Sequence, residues 1–86
     1  MTQATIEERI KNVLSREAMV GRAPDQINSK ASLVAELGLD SIRMVELING
    51  LESEFGIQME DDELSLELFA NVRSLAEYVE RKLKPE

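Results

Sequence analysis

The chain has 86 residues and carries 17 Asp and Glu residues against 10 Lys and Arg residues, which gives a net charge of −7. A chain of this length forms one small domain, residues 1–86, and buries about 60–65% of its unfolded surface, which excludes large enzyme architectures. The absence of Cys and His excludes disulfides, thiolate or imidazole metal ligands and the usual nucleophile–base pairs. We therefore predict a protein that is not an enzyme and holds no metal.

The acidic balance and the N-terminal residues predict which partners and which compartment the protein has. Binding of nucleic acid needs Lys and Arg side chains that neutralise phosphates, so we expect partners with basic surfaces and no nucleic acid. Residues 1–8 contain no basic stretch followed by an apolar run, and no segment approaches the roughly 18–20 apolar residues that span a bilayer. We predict a cytoplasmic protein without a membrane segment.

Apolar side chains at helical spacing predict a first helix that begins at residue 3 or 5 and ends near residue 18. Thr5, with Glu8 three residues later, has the form of a capping box. A long loop over residues 21–40 follows, because Gly, Pro, Asp, Asn and Ser are frequent there. Apolar side chains spaced through this loop are expected to pin it to the core: Ile27, Leu33, Val34, Leu37 and Leu39.

The second helix is predicted over residues 41–55, where the helical pattern is cleanest. Asp40 and Ser41 stand at its N-cap, and Gly56 stands where a left-handed C-terminal residue belongs. Gly50 lies inside this helix, which indicates either close packing or simple tolerance.

Two further helices complete the predicted fold. A short one is expected over Asp61–Phe69, and a last one follows Asn71 and ends in a basic turn. No segment has the alternating pattern of a strand. We predict an all-α fold, a four-helix bundle of three long helices and one short helix with a long first loop.

Charge is concentrated in the middle of the chain. Residues 36–67 hold ten acidic residues and one basic residue, Arg43, for a net charge of −9. Such a block is either a solvated face or a docking surface for partners of opposite charge.

The segment around the second helix start carries a more specific signal. Residues 38–42 read Gly-Leu-Asp-Ser-Ile, and residues 51–55 read Leu-Glu-Ser-Glu-Phe. Both runs resemble the acyl carrier protein family, whose second helix opens with a Gly-x-Asp-Ser-Leu/Ile motif and later contains Leu-Glu-x-Glu-Phe. The resemblance extends over nearly the whole chain, and length, acidity and helix count agree with it.

The resemblance implies that Ser41 carries a 4′-phosphopantetheine arm through a phosphodiester on its hydroxyl. It also implies that Asp40 bears on recognition by the phosphopantetheinyl transferase. A chain without Cys cannot form a thioester itself, so it acquires a thiol from the cofactor and leaves the chemistry to partner enzymes. The arm would hold acyl, polyketide or aminoacyl intermediates as thioesters, and the cargo stays open at this stage.

The resemblance further implies that partner enzymes, such as ligases, synthases and transferases, dock basic patches on the acidic face of a monomeric carrier. The candidate partner-binding residues are Ile42, Arg43, Glu46, Asn49, Glu52, Glu60, Asp61 and Asp62. Arg43 and Asn49 depart from the pattern of carriers in fatty acid synthesis, which have an acid and often a Met at these positions. We therefore predict a freestanding carrier of a specialised pathway, with partner choice decided at Arg43. The alternative that Arg43 is an ordinary surface residue without a role stays open.

Several alternatives remain open from the sequence. Asp40 and Ser41 also suit an ordinary helix cap, and the chain also suits an unmodified acidic helical adaptor that binds basic partners. Calcium binding by residues 60–63 is disfavoured, because the run lacks the alternating acids and central Gly of an EF-hand loop. A set of apolar residues either opens a cleft for an aliphatic chain or forms plain core: Leu47, Ile48, Leu51, Phe69, Leu75 and Val79.

Overall fold

The computed structural model describes residues 5–18, 20–65 and 67–84. It contains three α-helices, which are α1 (Ile6–Arg16), α2 (Ser41–Phe55) and α3 (Val72–Leu83). Two 3-10 turns, Pro24–Gln26 and Asp61–Glu63, lie in the connections. No strand occurs within the described ranges, and the predicted all-α fold is confirmed.

Local capping sets where α1 and α3 begin. The Thr5 hydroxyl accepts a hydrogen bond from the Glu8 amide at 3.1 Å, and the Thr5 amide donates to the Glu8 carboxylate at 3.3 Å, which confirms the predicted capping box. Asn71 caps α3 by accepting from the Ser74 amide at 2.9 Å. The predicted start of the first helix at residue 3 lies outside the described residues, and α1 ends at Arg16, shortly before the predicted end near residue 18.

The core lies where the three helices meet. The α1 helix packs against both α2 and α3, and the largest fully buried side chains come from all three helices and from the first loop. These side chains are Ile10, Val13, Leu14, Leu33, Leu47, Leu51, Val72, Leu75 and Val79.

The long first loop is held to this core, as its apolar residues predict. Ile27, Leu33, Leu37 and Leu39 are buried, and the Leu33 amide donates to the Ala70 carbonyl at 3.1 Å. Val34 is the exception, because it is 57% exposed. Its predicted role as a pin is wrong, since its neighbour Leu33 fills the core and turns Val34 outward.

The predicted short helix over Asp61–Phe69 is wrong in extent. The 3-10 turn ends at Leu64, whose backbone is extended with φ −81° and ψ 118°. A second turn then begins at Ser65, whose hydroxyl accepts from the Leu68 amide at 3.1 Å and whose carbonyl accepts from the Phe69 amide at 3.2 Å. Side-chain hydrogen bonds to nearby backbone therefore replace a continuous helical ladder. Leu66, which falls inside the predicted range, lies outside the described residues.

Gly50 lies where α1 and α2 pack closely, so the close-packing alternative is the correct one. A Cβ atom at this position would lie 2.6 Å from Cγ1 of Val13 and 3.0 Å from Cγ of Glu17. Val13 is fully buried and its branched side chain is restricted in rotamer, so it cannot move aside at little cost.

We predict that Gly50→Ala lowers the free energy of unfolding by about 1–3 kcal/mol, because overpacking outweighs the gain in helix propensity. Urea denaturation followed by circular dichroism measures the change. Ser53→Ala is the matched control, since Ser53 is exposed on the same helix and Ala favours helix there. A Gly50→Ala variant as stable as wild type would contradict the close approach.

Candidate functional site

The site predicted from the motif lies at the start of α2. Asp40 is the N-cap, as predicted, and its Oδ1 accepts from the Arg43 amide at 2.9 Å while its carbonyl accepts from the Met44 amide at 2.9 Å. Ser41 is the first residue of α2 and is exposed. The cap therefore presents the Ser41 side chain at a defined helix end, in contact with solvent.

The residues before the cap explain why the chain emerges at this point. Gly38 has a φ of +71°, in the left-handed region that disfavours other residues. Leu39 then returns to the core, where it is 4% exposed, and its amide donates to the Leu33 carbonyl at 3.0 Å. One turn and one buried side chain thus anchor the backbone, and Asp40 and Ser41 leave the core together.

The helix end suits a phosphate ester on Ser41. The first amide groups of a helix have no partner within it, and the helix dipole places partial positive charge there. The Asp40 side chain takes up the Arg43 amide, which leaves the amides of Ser41 and Ile42 at the end that attracts anions. An exposed hydroxyl beside these amides is compatible with a phosphodiester-linked cofactor.

An apolar cleft of about 580 Å³ opens beside the same helix. Its lining residues are Val34, Met44, Ile48, Leu64, Ser65, Phe69 and Ala70. Ser41, Met44 and Ile48 are spaced by three and four residues, so they lie along one face of α2. Ser41 therefore stands at the end of the face that forms one wall of the cleft.

The sequence indicated only part of this cleft. Of the six apolar residues that suited either a cleft or the core, Ile48 and Phe69 line it. Leu47, Leu51, Leu75 and Val79 are fully buried core. The cleft residues Val34 and Leu64 were missed, because helical periodicity carries no information about how a loop packs.

Seven of the eight candidate partner-binding residues fall into two exposed groups. Ile42 is 70% exposed, and Arg43, Glu46 and Asn49 are also exposed on α2. Glu60, Asp61 and Asp62 are exposed at the second 3-10 turn. Val45, 56% exposed beside Glu46, is a further apolar surface residue that the sequence did not single out.

Two of the candidate partner-binding residues, Glu52 and Arg43, have hydrogen-bond partners within the chain. Glu52 Oε2 accepts from the Met59 amide at 2.8 Å, so this carboxylate holds the connection after α2. An Arg43 nitrogen donates to the Ala18 carbonyl at 3.5 Å, just beyond α1. The side chain of Arg43 therefore leans toward α1 while staying exposed.

Glu54, one of the ten acidic residues of segment 36–67, ties α2 to α1. Arg9 Nε lies 2.9 Å from Glu54 Oε2, and this hydrogen bond is the main reason why the pKa of Glu54 is lowered. The Arg9 guanidinium also lies 4.4 Å from the centre of the Phe55 ring, a cation–π distance.

The described part of the chain shows neither a cluster of metal ligands nor a membrane-spanning helix. No group of three or more His, Cys, Asp or Glu residues there is arranged to hold a metal ion. Likewise, none of the described helices has the length and apolar character that a membrane span requires.

Comparison with known proteins assigns the family. The family model "Phosphopantetheine attachment site" matches residues 8–79. The acyl carrier protein of Thermotoga maritima is 33% identical over 78 residues, which cover 91% of each chain. The chain belongs to the acyl carrier protein family. An acyl carrier protein of Nitratidesulfovibrio vulgaris is 32% identical and covers 91% of this carrier and 97% of its own length.

Solved structures agree with this assignment. The solution structure of a holo acyl carrier protein from Nitrosomonas europaea matches with a TM-score of 0.82 and 31% identity, over 93% of this carrier and 98% of that chain. A carrier protein from Agrobacterium tumefaciens, solved with an engineered Bradyrhizobium japonicum glycine:[carrier protein] ligase and ATP, matches with a TM-score of 0.78 and 28% identity, over 88% and 97%. The protein is therefore a carrier rather than an enzyme, and its cofactor is 4′-phosphopantetheine.

We predict that Asp40→Ala destabilises the carrier by about 1 kcal/mol through loss of the N-cap. Asp40→Asn should retain most of that stability, because an amide oxygen also accepts from the Arg43 amide. Thermal unfolding compares the variants, with Asp62→Ala as a control in an exposed acid outside the three helices. Equal stability of Asp40→Ala and Asp62→Ala would contradict the capping role.

Proposed function

We propose that this protein is a freestanding carrier that holds acyl intermediates as thioesters on a 4′-phosphopantetheine arm attached to Ser41. The observation that carries the proposal is the exposed Ser41 hydroxyl at the first residue of α2, inside the span that matches the family model. In this proposal the chain works as a cytoplasmic monomer of one domain, because Ser41 must reach several enzymes in turn.

The surroundings of four other serines, which are Ser32, Ser53, Ser65 and Ser74, support the choice of Ser41. The hydroxyls of Ser32 and Ser65 accept hydrogen bonds from amides within their own turns, and the Ser74 hydroxyl donates to the Leu68 carbonyl. Ser53 is exposed but lies inside α2, where the amides already serve the helix. Only a serine at a helix start places an anionic ester beside free amides.

When bound, the cofactor supplies the thiol that carries the cargo. The chain itself orients the arm, because the cap holds Ser41 at the helix end and Ile42 offers an exposed apolar contact beside it. Asp40 is exposed and lies directly before Ser41, and we propose that the phosphopantetheinyl transferase recognises it.

The cleft favours acyl cargo over aminoacyl cargo. Its lining is mainly apolar, so an aliphatic chain would leave water on entering it, whereas a small aminoacyl group such as glycyl has little apolar surface to bury. Partner enzymes include cargo-activating ligases in this proposal. The glycine:[carrier protein] ligase solved with the related Agrobacterium tumefaciens carrier supports a ligase partner, although its own cargo is an amino acid.

Charge supports partners with basic docking surfaces. Glu46, Glu60, Asp61 and Asp62 are exposed, and they belong to the segment of net charge −9. Arg43 and Asn49 interrupt this face, so we propose that a specialised pathway supplies partners that tolerate or contact them. An acidic adaptor without a prosthetic group is the alternative that the first experiment tests.

Incubation with coenzyme A and a promiscuous phosphopantetheinyl transferase should add one arm to the wild-type protein, as read by intact mass spectrometry. Ser41→Ala should abolish the gain, and Ser53→Ala should not, because Ser53 lies within the helix. An unchanged wild-type mass would favour the unmodified adaptor. A gain that survives Ser41→Ala would place the arm elsewhere.

The same reaction tests the acidic docking face. Glu46→Lys should raise the KM of the carrier for the transferase by about three- to tenfold with little change in kcat, because it places a like charge in the path of a basic partner. Added salt should reduce the difference.

Glu77→Lys is the matched control, because it makes the same change in net charge from an exposed position on α3. It should leave KM close to the wild-type value. Equal effects of the two variants would mean that total charge, rather than the face beside Ser41, governs docking.

A further inference from the structure

The two sides of the apolar cleft differ in secondary structure. One side is α2, a continuous helix of 15 residues, which contributes Met44 and Ile48. The other side is the connection between the second 3-10 turn and α3, which contributes Leu64, Ser65, Phe69 and Ala70. This connection contains isolated turns in place of a helical ladder, so it is the side that can move at lower cost.

Glu63 holds the start of this connection against α3. A single carboxylate oxygen, Oε1, accepts from the Tyr78 hydroxyl at 2.9 Å, from Lys82 Nζ at 2.8 Å and from the Glu60 amide at 3.1 Å. We call Glu63, Tyr78 and Lys82 the Glu63 cluster. Since Leu64 follows Glu63 directly, the cluster fixes where the cleft wall begins.

The cluster is partly shielded and charged. The side chains of Glu63 and Lys82 are 34% and 27% exposed, and Tyr78 is buried. The Lys82 hydrogen bond lowers the pKa of Glu63 and the Glu63 hydrogen bond raises the pKa of Lys82, so both are ionised at neutral pH. Hydrogen bonds to charged groups are the stronger kind.

The far end of the same wall is also tied to α3. The Ser74 hydroxyl donates to the Leu68 carbonyl at 2.8 Å, and the Ala70 carbonyl accepts from the Leu33 amide at 3.1 Å. This end is therefore anchored to two elements, whereas the Glu63 end is held by the Glu63 cluster.

We propose that Glu63 is a positioning residue for the cargo, which holds the cleft wall closed through Tyr78 and Lys82 and so limits which acyl chains are sheltered. This inference rests on the proposed function, because the cargo reaches the cleft only from an arm on Ser41. The mechanical part of it concerns the unmodified protein and is tested separately.

The first test measures amide hydrogen exchange in the unmodified protein. Lys82→Met removes the ammonium group but keeps an apolar stem beside the Tyr78 ring. It should speed the exchange of the hydrogen-bonded amides of Leu64 and Phe69 by about two- to tenfold, with the Leu51 amide in α2 unchanged.

Lys84→Met is the matched control, because Lys84 lies two residues after Lys82 at the end of α3. Its ammonium group lies 3.8 Å from the Glu80 carboxylate and is not part of the Glu63 cluster. This variant should leave all of these rates unchanged. Glu63→Gln provides a second release of the cluster by removing its charge, and it should reproduce the Lys82→Met pattern. Unchanged exchange at Leu64 and Phe69 in both release variants would overturn the proposal.

The second test uses protein loaded at Ser41 from acyl-coenzyme A thioesters of increasing chain length. Protection of the thioester from hydroxylamine reports shelter of the chain. Lys82→Met should protect longer acyl chains than either the wild-type protein or the Lys84→Met variant does. An identical dependence of protection on chain length in the variants and the wild type would overturn the role of Glu63 toward the cargo. The hydrogen-exchange test would still decide whether the cluster holds the cleft wall. Failure of Ser41 to load would overturn the proposed function itself.

Discussion

The burial of α2 against α1 is the constraint on which the rest of the structure depends. Leu47 and Leu51 are fully buried, and Gly50 lets the two helices approach until a Cβ would meet Val13. Because this face of α2 is buried in the core, helix geometry determines which of the remaining residues border the cleft and which face solvent. Ser41, Met44 and Ile48 border the cleft, while Ile42 and Glu46 point to solvent.

The acidic residues of the carrier are of two kinds: some hold the fold together through hydrogen bonds within the chain, and others are exposed to solvent and to partner enzymes. Glu52, Glu54 and Glu63 accept hydrogen bonds within the chain and hold the connection after α2, the contact with α1 and the cleft wall. Glu46 and Asp61 are exposed. The count of 17 acidic residues therefore overstates how many carboxylates a docking enzyme meets unpaired, because Arg9 pairs with Glu54 and Lys82 pairs with Glu63.

Helix starts were the most predictable features, because capping depends on residues three apart in the chain. The Thr5 and Asn71 caps and the Asp40 cap all lie where the residue types place them. The prediction of a short helix over Asp61–Phe69 was wrong, because the side chains of Glu63 and Ser65 accept hydrogen bonds from nearby backbone amides and divide the segment into two turns. Composition favours helix in such a segment, but local hydrogen bonds decide it.

The sequence by itself determined the all-α class, the cap before Ser41 and the concentration of acid around it, since each of these depends on local spacing and residue type. Only the tertiary structure decided that Met44 and Ile48 line a cleft while Leu47 and Leu51 fill the core. It also decided that Glu63 meets Tyr78 and Lys82. Those outcomes depend on how distant segments pack, because burial and ion pairing are set by neighbours in space that periodicity along the chain does not specify.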